Sequence, residues 1–195
     1  MRILTLVSAT ALLAGCSGSS TPDTDGDAPE FFTALSALCG QAFEGRVTSD
    51  DPRDADWASE TLVMHVRECS EDVIRIPLHV GEDRSRTWVI SVLEDGQMRL
   101  KHDHRHEDGS EDAMTQYGGD SVEAPSATRV AFPADQFSKD LFEEGGIPDS
   151  MGNTWSLTLT DSVFKYALDR TNRHFEATFD LSNPVDAPPA PWGFE

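Results

Sequence analysis

The sequence is short of positive charge. It has 15 Lys and Arg against 35 Asp and Glu, a net charge of −20 with His counted as neutral. Phosphate binding needs a basic surface, so nucleic acid is excluded as a main partner. Docking on anionic lipid headgroups by charge alone is excluded for the same reason. The charge instead describes a solvated, self-repelling surface. Cysteine is also scarce, at three residues. No two of them form the C-x-x-C pair of thiol redox sites. Neither G-x-S-x-G, H-E-x-x-H nor a P-loop is present, and no segment repeats. What remains is ample for one packed domain with tails: 195 residues, of which 38% are apolar.

The N-terminus carries a targeting pattern. Arg2 is a short basic region, and Ile3 to Leu13 is an apolar run too short to cross a bilayer core of roughly 30 Å. The run ends in Leu13-Ala14-Gly15-Cys16. This resembles the lipobox of bacterial lipoproteins, where the signal peptide is cut before the Cys and that Cys is lipidated. The resemblance implies a signal peptide over residues 1–15 and lipidation at Cys16. Ser17 follows the Cys, where an Asp would favour inner-membrane retention. The implied location is therefore the bacterial cell envelope, anchored in the outer membrane and facing the periplasm or the cell surface. Several acyl chains would make the membrane a stable partner. With Cys16 used in this way, Cys39 and Cys69 remain. An exported chain folds in an oxidising compartment, so they read as one disulfide.

Residues 16–27 are expected to be the Cys that the resemblance implies is lipidated, followed by a polar tether. Asp23, Asp25 and Asp27 mimic the start of a calcium loop, but Ala28 stands where that loop needs Gly. A helix is expected next. Asp27 and Glu30 make a capping-box-like pair, Phe31, Phe32, Leu35 and Leu38 share a face, and Gly40 ends it. From Ala42 the pattern turns to short alternating runs separated by turn residues, about eight or nine strands in all. One late helix interrupts them, capped by Asp135 and carrying Phe137, Leu141 and Phe142, with Gly145 as its stop. Glu143 and Glu144 on it are expected to face solvent, and Trp88 and Trp155 to lie in the core. The long connection Glu107–Pro125 reads as a lid or a disordered segment. The domain spans residues 28–182, with a Pro-rich tail over 183–195.

The fold class expected is all-β: an antiparallel up-and-down barrel with an N-terminal helix and one short late helix. Closing such a meander removes its exposed edges. A helix followed by Phe43-Glu44-Gly45-Arg46 and a strand with Arg84, Arg86 and Trp88 resembles the lipocalin-like, or calycin, group, including its phycobilin-lyase relatives. The G-x-W of lipocalins is absent. The likeness implies fold alone.

The most distinctive string is LKHDHRHEDG, Leu100 to Gly109. Asp95-Gly96 upstream predicts a two-residue hairpin turn. That register would set Val89 against His102 and Thr87 against His104. Leu100, His102, His104 and His106 then share the inner face, and Lys101, Asp103 and Arg105 face water. Histidines two apart on a strand lie roughly 6–7 Å apart and can converge on one ion. His102 and His104 are thus metal candidates, for zinc or another divalent ion. His106, His65, His79, His174, Glu107 or Asp108 could supply a third ligand. Gly96 and then His102-Asp103-His104 also resembles the opening of the cupin motif. Asp108 and Gly109 depart from that motif's Glu, and its second half is missing. The row has two other readings: hydrogen bonding to the following loop, or contact with a small-molecule ligand. Three functions follow: a small-ligand or metal-binding barrel, a structural or protein-interaction lipoprotein, and a metal-dependent enzyme on the histidine cluster. The binding barrel, without catalysis, is the leading expectation.

Overall fold

The computed structural model describes residues 28–194. The lipobox, Cys16, the tether and the Asp27 cap lie outside the described residues. Eleven strands form one antiparallel sheet: β1 (Ala42–Val47), β2 (Leu62–His65), β3 (Glu68–Cys69), β4 (Val73–Val80), β5 (Asp83–Val92), β6 (Met98–His104), β7 (Tyr117–Asp120), β8 (Arg129–Pro133), β9 (Thr154–Leu159), β10 (Val163–Arg170) and β11 (Arg173–Val185). The order runs β7-β6-β5-β4-β2-β1-β11-β10-β9-β8, with β3 paired to β4 off the path. Every neighbour is therefore consecutive in the chain, apart from β2–β4, which skips the short β3, and β1–β11, which joins the first strand to the last. This is an up-and-down, nearly closed barrel, and it has more strands than the eight or nine expected.

The extra strands come from two places. Glu68–Cys69 splits from β2 and pairs back on β4. Tyr117–Asp120 lies inside the connection expected to be a lid, and pairs with β6 from His102↔Tyr117 to Arg99↔Asp120. The rest of that connection is tied down by local bonds, including Asp112 N–H to the His104 carbonyl at 3.0 Å. Two glycines explain why β7 was hidden. A Cβ on Gly118 would meet the Leu100 carbonyl oxygen at 1.8 Å, and one on Gly119 the Pro133 oxygen at 1.8 Å. Close approach to strands on both sides requires glycine, which strand-forming propensity penalises. At the β7–β8 seam, the Asp135 N–H reaches the Gly118 carbonyl at 2.9 Å. The Gly118 N–H donates to Ser138 Oγ at 2.7 Å. So α3 (Gln136–Glu144), capped as expected by the Asp135 carboxylate on the Ser138 N–H at 2.8 Å, completes the closure with a side chain.

The core is packed fully at one end of the barrel and continues through Trp155 and Phe142 to the other, where a cavity remains. α1 (Glu30–Ser36) buries Phe31, Phe32 and Leu35 at the fully packed end. Its N-cap position is Pro29, without a side-chain cap bond. Phe43, Met64, Ile74, Ile90, Met98, Leu100, Phe164 and Phe179 are all fully buried in the same cluster. Alternation along each strand places them: residues two apart share a face. The Cys39–Cys69 disulfide links the segment after α1 to β3.

The tail is not free. β11 continues to Val185, and Pro184 pairs with Phe43 beyond a bulge. The chain then crosses the outer face of β4, β5 and β6. The Trp192 N–H donates to the Arg84 carbonyl at 3.2 Å. Arg84 donates to Ala190 O at 3.0 Å and Arg67 to Phe194 O at 2.9 Å. The Phe194 ring lies under the Arg75 and Arg105 guanidinium groups at 5.5 and 4.8 Å. This corrects the expectation that the charged face of β6 meets water. Asp103 is only 3% exposed, held by Arg105 at 3.1 Å and Arg75 at 3.6 Å.

Candidate functional site

The hairpin register differs by one from the expectation. Val92 faces Met98, Ile90 faces Leu100, Trp88 faces His102 and Arg86 faces His104. The loop is Glu94-Asp95-Gly96, closed by the Leu93 N–H on the Gln97 carbonyl at 2.8 Å. Gly96 has φ +79°, and the Gln97 N–H is held by the Asp95 carboxylate at 3.0 Å. A three-residue loop also needs a glycine at positive φ, so Asp-Gly fits both turns. The inward row of β6 is unchanged, but its partners become Arg86, Trp88 and Ile90 rather than Thr87, Val89 and Ser91.

Beyond Leu100 the barrel opens into a cavity of about 360 Å³. It lies at the β10–β11 turn end, opposite α1. Trp88, Tyr117, Tyr166 and Phe175 line it from the strands. Between β1 and β2, a 3₁₀ turn (Pro52–Asp54) and α2 (Ala55–Ala58) fold over its mouth and add Arg53, Asp54 and Trp57. Asp54, 5% exposed, fixes that segment to the barrel by a two-point ion pair with Arg173 and a 3.0 Å bond from Ser49 Oγ. A wider cleft near Gly45 lies on the outer face among solvated polar residues such as Glu44 and Asp180.

The floor is polar and neutral. His102 is 3% exposed and stacks on Tyr117 with ring centroids 4.5 Å apart. Its Nδ1 is 3.1 Å from the Tyr117 carbonyl and its Nε2 is 2.9 Å from Tyr166 Oη. A carbonyl only accepts, so Nδ1 carries the proton and Nε2 accepts the Tyr166 O–H. Burial, with His104 beside it, lowers the His102 pKa to about 3. Burial and then Arg86 lower His104 to about 4. Burial lifts Tyr117 to about 12 and Tyr166 well above its usual value. All four groups are uncharged near neutrality. His104 Nε2 is 3.1 Å from Tyr117 Oη.

The structure brings His102 and His104 to one cavity and leaves His106 outside. His106 is exposed beyond the end of β6, 3.8 Å from Asp112. His174 is exposed and bound to Asp169 at 2.7 Å. His79, opposite Val63 on β2, lies in a separate pocket under Pro188 and Pro189. Glu107 and Asp108 are exposed in the turn. Among the described residues, no group of three or more His, Cys, Asp or Glu is placed to hold a metal ion. Both His102 nitrogens are committed to protein partners, so the imidazole row does not assemble the donor set expected for zinc.

Of the tryptophans, which read either as pocket lining or as core, Trp57 and Trp88 line the cavity; sequence reasoning missed Tyr117, Tyr166 and the arginines at the mouth. Arg86 stood beside Trp88 in an alternating strand, and an inward arginine next to an inward tryptophan was the available signal. Compared with known proteins, the sequence matches no family model and no curated protein, and the structure matches no solved structure.

Proposed function

We propose that this chain is a lipid-anchored protein of the bacterial envelope whose barrel binds one small organic ligand, without catalysis. The observation that carries the reading is the uneven filling of the barrel. One end is packed with aliphatic and aromatic side chains, while the other keeps a cavity of about 360 Å³ with aromatic walls. A barrel serving only as a docking body would gain stability by covering those aromatic walls, since apolar surface open to solvent is unfavourable. Apolar walls with a few fixed polar groups are the usual makeup of a ligand site. A general acid or base works best with a pKa near the operating pH. Two imidazoles lowered to about 3 and 4 do not meet that condition, which favours binding over catalysis. The lipobox-like Leu13-Ala14-Gly15-Cys16 supports the anchor, and the up-and-down connectivity supports the lipocalin-like comparison as one of architecture.

The test is to isolate the full chain from membranes, unfold it and analyse the released small molecules by mass spectrometry. A compound near one per chain is expected, lost in Leu168→Trp, which fills the cavity mouth while the far-ultraviolet circular dichroism stays unchanged. No compound in either protein, together with no ring compound binding on titration, refutes the ligand reading. Cys16→Ser is expected to abolish fatty-acid labelling and release the protein from the membrane. Retained labelling refutes the anchor.

A further inference from the structure

We infer that the occupant of this cavity is a small ring compound bearing a carboxylate, held along the edge of the Arg86 guanidinium. The inference rests on the reading of the cavity as a ligand site and adds the chemical class.

Size sets the first limit. A volume of about 360 Å³ equals about a dozen waters at roughly 30 Å³ each. That suits a ligand of roughly a dozen non-hydrogen atoms, and it is too small for a phospholipid or a tetrapyrrole. The walls set the second limit. Trp57, Trp88, Tyr117, Tyr166 and Phe175 offer flat apolar surface, against which a ring gains more than a branched polar molecule does.

Charge sets the third. Three guanidinium groups line the mouth: Arg53, Arg86 and Arg173. Arg53 makes a fork with Asp51, and Arg173 makes one with Asp54. Arg86 differs. Only its Nη1 is used, by Asp83 and by Ser85 Oγ at 3.0 Å. Among the described residues, no hydrogen bond takes its Nε or Nη2. That pair of nitrogens is the edge that accepts a carboxylate with two parallel bonds. Arg86 faces His104 across the β5–β6 ladder and lies over the Trp57 ring at 4.9 Å, so it sits where the strands meet the mouth.

The alternatives fare worse on the same observations. A cationic ligand would meet three guanidiniums, two of which already occupy aromatic faces, Arg86 on Trp57 and Arg173 on Phe175. A neutral ring would expel water and leave the Arg86 donors unpaired, which is unfavourable for a buried charged group. A phosphate carries more charge than one half-paired arginine balances in a chain of net charge −20. At the other end of the cavity the neutral Tyr166, Tyr117 and His104 groups suit an uncharged polar substituent on the ring.

The experiment is calorimetric titration of the full-length, detergent-solubilised chain with three probes sharing one ring: indole-3-acetate, indole-3-acetamide and tryptamine. Indole-3-acetate is expected to bind at one site, with the amide about tenfold or more weaker, the scale of a charge-assisted bond pair. Tryptamine is expected to be weaker still. Arg86→Gln is expected to bring the acetate down to the affinity of the amide and leave the amide unchanged. Arg86→Lys, which keeps the charge and loses the fork, is expected to lose most of the preference. If Arg86→Gln does not fold, the order of the probes on the wild type decides. An amide or amine that binds as well as the acetate, or an acetate affinity indifferent to both Arg86 variants, overturns the carboxylate while leaving the cavity a ligand site. A neutral or basic compound released from the native protein also overturns it. Failure of all three probes overturns it as well. The cavity reading falls with it only if the native protein also releases no compound.

Discussion

Acidification is expected to destabilise this barrel well before its carboxylates protonate. The cause is His102, buried and uncharged beneath the cavity. Its pKa is lowered from 6.5 to about 3, by burial first and by the neighbouring His104 and Lys101 as well, against an opposing bond to the Tyr117 carbonyl. The folded value lies below the unfolded one. Between pH 6.5 and about 3 the unfolded chain therefore holds a proton that the folded chain does not. Stability is complete above pH 6.5 and declines as pH falls through that window. Each unit below 6.5 removes about 1.4 kcal/mol for one such group, so about pH 4.5 removes about 3 kcal/mol through His102 alone. His104 acts in the same direction until its own folded pKa of about 4. His65 and His79, lowered chiefly by burial, add to it. The carboxylates lowered on folding, Asp83 and Asp135 among them, lose their contribution in a more acid window, below unfolded values of about 4. A loss of about 3 kcal/mol is a large part of the 5–15 kcal/mol typical of a domain. The assay is urea unfolding at about pH 7 and about pH 4.5, followed by circular dichroism, on the wild type and His102→Gln. The variant is expected to be less stable at neutral pH, yet to lose about 3 kcal/mol less on acidification. Parallel losses in the two proteins would refute the reasoning.

Four further outcomes follow from the packing. Cys39→Ser with Cys69→Ser opens a loop with a sequence separation of 30, and is expected to cost about 3–4 kcal/mol by the chain-entropy relation, read from urea midpoints. Gly119→Ala puts a methyl group against the Pro133 carbonyl oxygen; a loss of about 1–3 kcal/mol or more is expected, with faster hydrogen exchange in β7 and β8 than in β4. Asp54→Asn leaves Arg173 half-paired at the mouth, and is expected to cost roughly 3–5 kcal/mol and to speed exchange over residues 52–58. Phe194→Ala removes the ring beneath Arg75 and Arg105, and is expected to lower stability by about 1–2 kcal/mol, measured by thermal unfolding.

The barrel was legible in the sequence because alternation is a local signal. Each run such as Val73–Val80 or Val163–Arg170 carries its own period of two, and the run boundaries fall at turn residues. The Cys39–Cys69 bond was legible by counting cysteines. β7 was not legible, because Gly118 and Gly119 sit in it for contacts with strands that are distant in sequence. The burial of Asp103 was hidden for the same reason: the residues that cover it come from the last turn of the chain, around Phe194. In the site, the face of His102 and His104 was legible from the polarity of their own strand. Their partners were not, since Asp95-Gly96 serves a two-residue and a three-residue loop alike. Trp57 and Arg53 come from a short helical segment between β1 and β2, and no period marks a segment of that length.

Net charge and site charge have separate origins in this chain. The sum of −20 describes the solvated surface, but the cations are not spread evenly over it. Arg67, Arg75, Arg84 and Arg105 lie where the C-terminal segment crosses the outer sheet, held to its carbonyl groups and its Phe194 ring. Arg53, Arg86 and Arg173 gather at the cavity mouth. In a chain with 15 cations, these two places take nearly half of them. The first group is accounted for by the strap it binds. In the second group, Arg53 and Arg173 are accounted for by Asp51 and Asp54, which fasten the mouth segment. Arg86 is the one of the three whose Nε and Nη2 serve no such fastening. A strongly acidic surface also repels small anions at long range, by an amount that salt screens over about 10 Å at 0.1 M. A bidentate contact inside the mouth is screened far less. Raising salt is therefore expected to speed the association of a carboxylate ligand without weakening the Arg86 contact in proportion, the opposite of the behaviour of a surface-bound anion.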